Sequence, residues 1–112
     1  MAYNVYVIEL DNEFAQTKKA LEANPARDPM KPCVYVGYTS KSPKARIRQH
    51  MSGKPGKRGS RVHSSIVYRF GIRLLPDLYA KLNPIRTKED AMEAEVLLAR
   101  LLRTCGYTVW QN

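Results

Sequence analysis

Long apolar runs are missing from this 112-residue sequence. No segment approaches the roughly 20 apolar residues that a membrane-spanning helix needs. The start, Met1-Ala2-Tyr3-Asn4, has no basic region followed by an apolar stretch, so no signal peptide and a cytoplasmic location are expected. Cysteine is scarce. Cys33 and Cys105 stand in no spacing that would hold zinc, and two buried free thiols in a reducing cytoplasm are expected. Repeats and low-complexity tracts are absent, which excludes solenoids and linker-like chains. The most telling absence is of acid. From Pro29 to Pro76 there is no Asp or Glu, while Lys31, Lys41, Lys44, Arg46, Arg48, Lys54, Lys57, Arg58, Arg61, Arg69 and Arg73 fall in that stretch.

What is present then reads more easily. The length suits one domain spanning 1–112, with apolar content of 44% sufficient for a modest core. The net charge of +9 is carried by the central block, and the acids sit in the two flanks. Such a one-sided block repels itself unless a polyanion neutralises it, and a nucleic-acid backbone does so with release of counterions. A solvated basic face is the plainer reading. The concentration of charge favours nucleic acid.

Along the chain, residues 3–10 mix tyrosines with β-branched residues and predict a strand, as do residues 33–39. Between them, Asn12 to Ala23 has helical composition, and Asn24-Pro25, Asp28-Pro29 and Lys31-Pro32 break it. Ser42-Pro43 is a serine cap with proline at the first helical position, and that helix should end near Met51-Ser52 before Gly53. Ser60 can cap a further helix in which Val62, Ile66 and Phe70 recur every four residues up to Gly71; a strand over Ser65–Phe70 is the rival. Ile72 to Leu75 predicts a third strand, and Pro76 to Asn83 a helical turn. Thr87-Lys88-Glu89-Asp90 opens the last long helix, which should stop at Gly106 and leave Tyr107–Trp110 as an extended tail.

Three groups of residues bear chemistry. On the last helix, at about 100° per residue, Ala91, Ala94, Leu98, Leu102 and Cys105 form one stripe, and Glu95 falls within it while Glu93 points to solvent. A carboxylate among apolar neighbours is costly unless it is paired or binds a metal. An amphipathic rim position or a salt bridge to an arginine explains it equally well, and Glu93 is the alternative should the register differ. On the Ser42 helix, Arg46 and His50 share a face, with Ile47 and Met51 turned to the core. Arginine suits a phosphate through its planar fork. The histidine can bond an attacking water, a phosphate or a general base, and a surface Arg and His are the commoner explanation. Tyr6 and Tyr35, on adjacent antiparallel strands, otherwise only pack against each other. Gly37 allows close approach of chain or substrate. Tyr38 points outward and is a weaker candidate.

Asn4-Val5-Tyr6-Val7-Ile8, then Val34-Tyr35-Val36-Gly37, then Arg46-x-x-x-His50 and Ala91-x-x-Ala94-Glu95, in that order, resemble the motifs of the GIY-YIG nuclease family. The resemblance runs over nearly the whole chain. It implies a small α/β (α+β) domain: a three-stranded antiparallel sheet with helices packed on its faces, here with a helical insertion between the first two strands. It implies an endonuclease hydrolysing DNA phosphodiesters with Mg²⁺ or Mn²⁺ held by Glu95, Tyr6 as general base, Tyr35 placing water or phosphate, and Arg46 and His50 beside them. Gly37, Lys41, Lys44, Arg48, Lys54, Lys57, Arg58, Arg61 and an accessory His63 would meet the nucleic acid, branched or nicked DNA included. With no room for a separate specificity domain, cutting should follow DNA structure or weak sequence preference. A non-catalytic nucleic-acid-binding module on the same fold and an RNA-directed nuclease are the alternatives. One departure stands out: family members commonly carry an asparagine soon after an aromatic in the last strand, where this chain has Tyr107-Thr108 and only later Asn112.

Overall fold

A computed structural model describes residues 2–52 and 65–111. The strand β1 (Asn4–Leu10) is followed by a 3-10 turn over Asn12–Gln16 and the short helix α1 (Lys18–Ala23), and then by β2 (Cys33–Thr39). Thr17 caps α1 by accepting the Ala20 N–H at 3.2 Å, and Asn24 ends it. Next come α2 (Pro43–Ser52), α3 (Ser65–Phe70) and β3 (Gly71–Leu74). Two 3-10 turns lead to α4 (Lys88–Thr104) and β4 (Thr108–Gln111). The Ser42 hydroxyl accepts the Ala45 N–H at 3.1 Å, and Thr87 accepts that of Asp90 at 3.1 Å, so both long helices start on their capping residues. Gly106, at φ 94°, supplies the left-handed residue that stops α4.

The four strands form one mixed sheet in the order β3-β1-β2-β4. This corrects the expected three-stranded antiparallel sheet. β1 pairs antiparallel with β2 and β3, but β4 runs parallel to β2, with Cys33 opposite Thr108 and Val36 opposite Gln111. The Tyr107–Trp110 tail is drawn in because β2 would otherwise leave a row of buried N–H and C=O groups unpaired. The outer edge of β4 is covered in turn. The Asn24 side chain accepts the Val109 N–H at 2.8 Å and donates to the Val109 carbonyl at 3.0 Å, as a neighbouring strand would.

Consecutive residues Val5 to Ile8 and Cys33 to Val36 are all buried, so both faces of the central strands are covered. In the β1–β2 register Tyr6 lies opposite Gly37 and Ile8 opposite Tyr35, which puts both tyrosines on one face.

Several local expectations change. The segment from Ser65 to Phe70 is helical, which removes the strand alternative; Ser60 and Val62 lie outside the described residues. The third strand begins one residue early, at Gly71. Cys33 is buried but Cys105 is exposed, because it caps α4 instead of continuing the apolar stripe. Met51 is 42% exposed while His50 is fully buried, so α2 turns its histidine inward and the methionine out. Among the described residues no helix is long and apolar enough to cross a membrane.

Candidate active site

The centre of the site is a buried pair. The Tyr6 hydroxyl and His50 Nε2 lie 3.0 Å apart, and both side chains are sealed from solvent. β1 delivers the tyrosine and α2 the histidine. Tyr6 donates in the tautomer that leaves Nε2 unprotonated. The Tyr35 ring closes the cluster, its centroid 6.2 Å from that of Tyr6 and 5.6 Å from that of His50. The contact joins His50 to the tyrosine that the resemblance casts as the general base.

Gly37 makes the arrangement possible. A Cβ at this position would lie 2.5 Å from the Tyr6 oxygen and 3.2 Å from the Tyr35 ring. Gly37 was expected among the nucleic-acid contacts, but it is buried, and its job is to leave room across the ladder for the Tyr6 phenol. Gly37→Ala is therefore expected to push the hydroxyl off His50. It should cost about 1–3 kcal/mol of stability, as overpacking usually does, and lower cleavage of any substrate Tyr6 serves. Thermal melting and a single-turnover assay on the same preparation check both halves.

Electrostatics link the remaining residues to the pair. Burial pushes the Tyr6 phenol well above the usual tyrosine range, and the nearby Tyr35 adds to the rise. Arg46 acts the other way through its charge and a hydrogen bond, while the Glu95 charge contributes a smaller upward push. The Tyr6 oxygen therefore senses every other member of the expected catalytic set. Arg46 is half-buried, and its Nη1 also donates to Gln49 Oε1 at 2.6 Å.

Glu95 is 5% exposed on α4, whereas Glu93 is exposed, as the helical stripe predicts. Burial raises its carboxyl above the usual range, and a hydrogen bond from Gln111 partly offsets the rise. That bond, Gln111 Nε2 to Glu95 Oε1, is long at 3.4 Å. Among the described residues no arginine forms an ion pair with Glu95; the ion pairs there are Lys18–Glu22 and Arg73–Glu9. A buried carboxylate without a countercharge is costly, and a cation would relieve that cost. The described residues contain no group of three His, Cys, Asp or Glu that could cage a metal. A single carboxylate still suits Mg²⁺ or Mn²⁺, since such ions complete their shell with substrate phosphate and water. The residues therefore fit the ion.

The family model for the GIY-YIG catalytic domain matches residues 26–108, most of the chain. The chain belongs to the GIY-YIG family. No curated protein and no solved structure matches it. The matched span of this GIY-YIG domain holds Tyr35, Gly37, Arg46, His50 and Glu95 and leaves out Tyr6. Tyr6 joins the cluster on its hydrogen bond to His50.

Of the expected nucleic-acid contacts, Lys41, Lys44 and Arg48 are exposed. Lys54, Lys57, Arg58, Arg61 and His63 lie outside the described residues, as does Asn112. Thr108, the residue that follows Tyr107, is fully buried and its hydroxyl accepts Arg27 Nη1 at 3.4 Å. Gln111, which contacts Glu95, was not anticipated. A lone glutamine near the end of a strand gives no sequence signal, and only the β2–β4 pairing shows where it goes.

Proposed function

We propose that this GIY-YIG domain is a metal-dependent endonuclease that hydrolyses DNA phosphodiester bonds, guided by DNA structure or by weak sequence preference. The single observation that carries this reading is the Tyr6–His50 hydrogen bond at 3.0 Å, made within charge range of Arg46 and Glu95. Family membership supplies the nuclease class.

A phenol whose pKa is raised is a poor base if it must first ionise. His50 answers this difficulty. As water attacks phosphorus, its proton passes to the Tyr6 oxygen while the Tyr6 proton passes to His50 Nε2, so no free phenolate forms. The P–O bond to the departing strand breaks, and its oxygen takes a proton from solvent. Arg46 holds a non-bridging phosphate oxygen and offsets the charge that builds there. Tyr35 orients the water or the phosphate. Glu95 would hold Mg²⁺ or Mn²⁺, which when bound polarises the phosphate and stabilises charge on the leaving oxygen. Lys41, Lys44 and Arg48 would carry the flanking backbone, with branched or nicked DNA as the favoured substrate in repair, recombination or mobile-element movement.

One observation favours a second reading. Tyr6 is only 1% exposed, so water reaches its hydroxyl only through a side-chain movement or as a buried molecule. A non-catalytic nucleic-acid-binding module would need neither. The test is a cleavage assay on branched, nicked and linear DNA and on RNA, with Mg²⁺ or Mn²⁺ and an EDTA control. EDTA-sensitive cutting of DNA is expected. Cutting confined to RNA would move the substrate, and binding without cutting under any condition would favour the module.

Binding itself should depend strongly on salt. If the basic block covers about five phosphates, log K should fall against log salt with a slope near roughly −4 to −5. Fluorescence anisotropy across a salt series measures it, and a slope near zero removes the electrostatic argument.

A further inference from the structure

The contact between Gln111 and Glu95 is the end of a chain of side chains that starts outside the site. Gln111 Oε1 accepts from Arg103 Nη1 at 3.1 Å, and Gln111 Nε2 donates to Glu95 Oε1 at 3.4 Å. Arg103 is held at its other nitrogens: Nε donates to Asn24 Oδ1 at 3.2 Å and Nη2 to the Val109 carbonyl at 3.3 Å. Asn24 is 4% exposed, and four hydrogen bonds fix it, to Arg103, to the Ala20 carbonyl and to both backbone groups of Val109.

The direction of this chain follows from what each group can do. A guanidinium has donors and no acceptor, so only the carbonyl end of the Gln111 amide can face Arg103. The NH₂ end is thereby turned toward Glu95, which as a carboxylate can only accept. Gln111 passes the arginine's orientation on to the glutamate without passing on its charge. A direct Arg103–Glu95 pair would neutralise the carboxylate and compete with a cation for it. The neutral amide holds one oxygen in place and leaves the negative charge available.

We propose that Gln111 is a positioning residue for Glu95: oriented by Arg103 and Asn24, it fixes the carboxylate so that the other oxygen is presented to a divalent cation. This rests on the reading of Glu95 as the cation ligand. It makes the connection between β1 and β2, through Asn24, a support of the site.

The test is Mn²⁺ binding followed by electron paramagnetic resonance, on the protein alone and with a cleavage-resistant duplex, beside the Mn²⁺ concentration that gives half-maximal cleavage. Gln111→Met keeps length and bulk but removes both hydrogen bonds. It should weaken Mn²⁺ by about 10- to 100-fold, the usual cost of losing a ligand's hydrogen-bond partner, with near-normal cleavage restored at high Mn²⁺. Gln111→Asn, one methylene too short to span Arg103 and Glu95, should also weaken Mn²⁺ and serves if the first variant folds poorly. Glu95→Gln is the reference. If it loses Mn²⁺ while both Gln111 variants bind as the wild type does, the positioning role is overturned and the ligand reading stands. If Glu95→Gln itself leaves Mn²⁺ binding unchanged, the ligand reading falls and takes this inference with it.

Discussion

Replacing Glu95 by glutamine is expected to abolish cleavage and leave DNA binding intact. The substitution removes the anionic charge that would hold the cation and changes the shape of the side chain very little. Loss of a cation that supplies several kcal/mol of transition-state stabilisation corresponds to a fall of about 10³-fold or more. Single-turnover kinetics and anisotropy read the two properties separately. Glu93→Gln, on the exposed side of α4, should remain fully active; loss of activity there, with Glu95→Gln intact, would reverse the assignment. Stability supplies an independent control. Burial raises the Glu95 carboxyl, so the folded state holds its proton more tightly than the unfolded chain does. The stability this gives is present below the unfolded value and is lost as pH rises past the raised one. At neutral pH the ionised carboxylate therefore burdens the fold, and Glu95→Gln should melt at or above the wild-type temperature. Lost activity with equal or greater stability is what a functional carboxylate shows and a structural one does not.

Tyr6→Phe should lower cleavage by about 10²- to 10⁴-fold, the scale of losing a general base, with DNA affinity hardly changed. The ring stays, so packing against Tyr35 and the space above Gly37 are preserved. Only the hydroxyl is lost, and with it the 3.0 Å bond to His50. His50 then becomes a buried polar group lacking that partner, which costs about 1–3 kcal/mol and should appear in the melting temperature. His50→Gln separates the two effects, since a neutral amide can still accept from the phenol but is no proton acceptor at neutral pH. It should fold well and cut poorly. Arg46→Ala should impair both binding and cutting, because it removes a phosphate contact as well as charge stabilisation. Equal rates for wild type and Tyr6→Phe would refute the proton path even if the protein is a nuclease.

The helix stripe of α4 was legible because burial there follows a local period: Ala91, Glu95, Leu98 and Leu102 come out buried and Glu93 exposed. The same logic failed at the end of α2. Periodicity placed Met51 inside, yet His50 is fully buried and Met51 is not. A histidine goes inward only if its nitrogen finds a partner, and that partner, Tyr6, lies 44 residues away. Cys105 misled for a different reason, since a residue that caps a helix no longer follows the helix's period.

Local sequence determined the strands at Asn4–Leu10 and Cys33–Thr39, the capped helices and the unbalanced positive charge, because cap chemistry, periodicity and composition act over a few residues. It also carried the order of motifs that marks the GIY-YIG family. Tertiary structure alone decided that the last four residues of the sheet run parallel to β2, since strand pairing depends on which edge is left open and not on the strand's own residues. It decided that His50 meets Tyr6, that Gly37 serves the phenol and that Gln111 reaches Glu95. These contacts join residues far apart in the chain, and a hydrogen bond between distant side chains leaves no period or spacing by which it could be read beforehand.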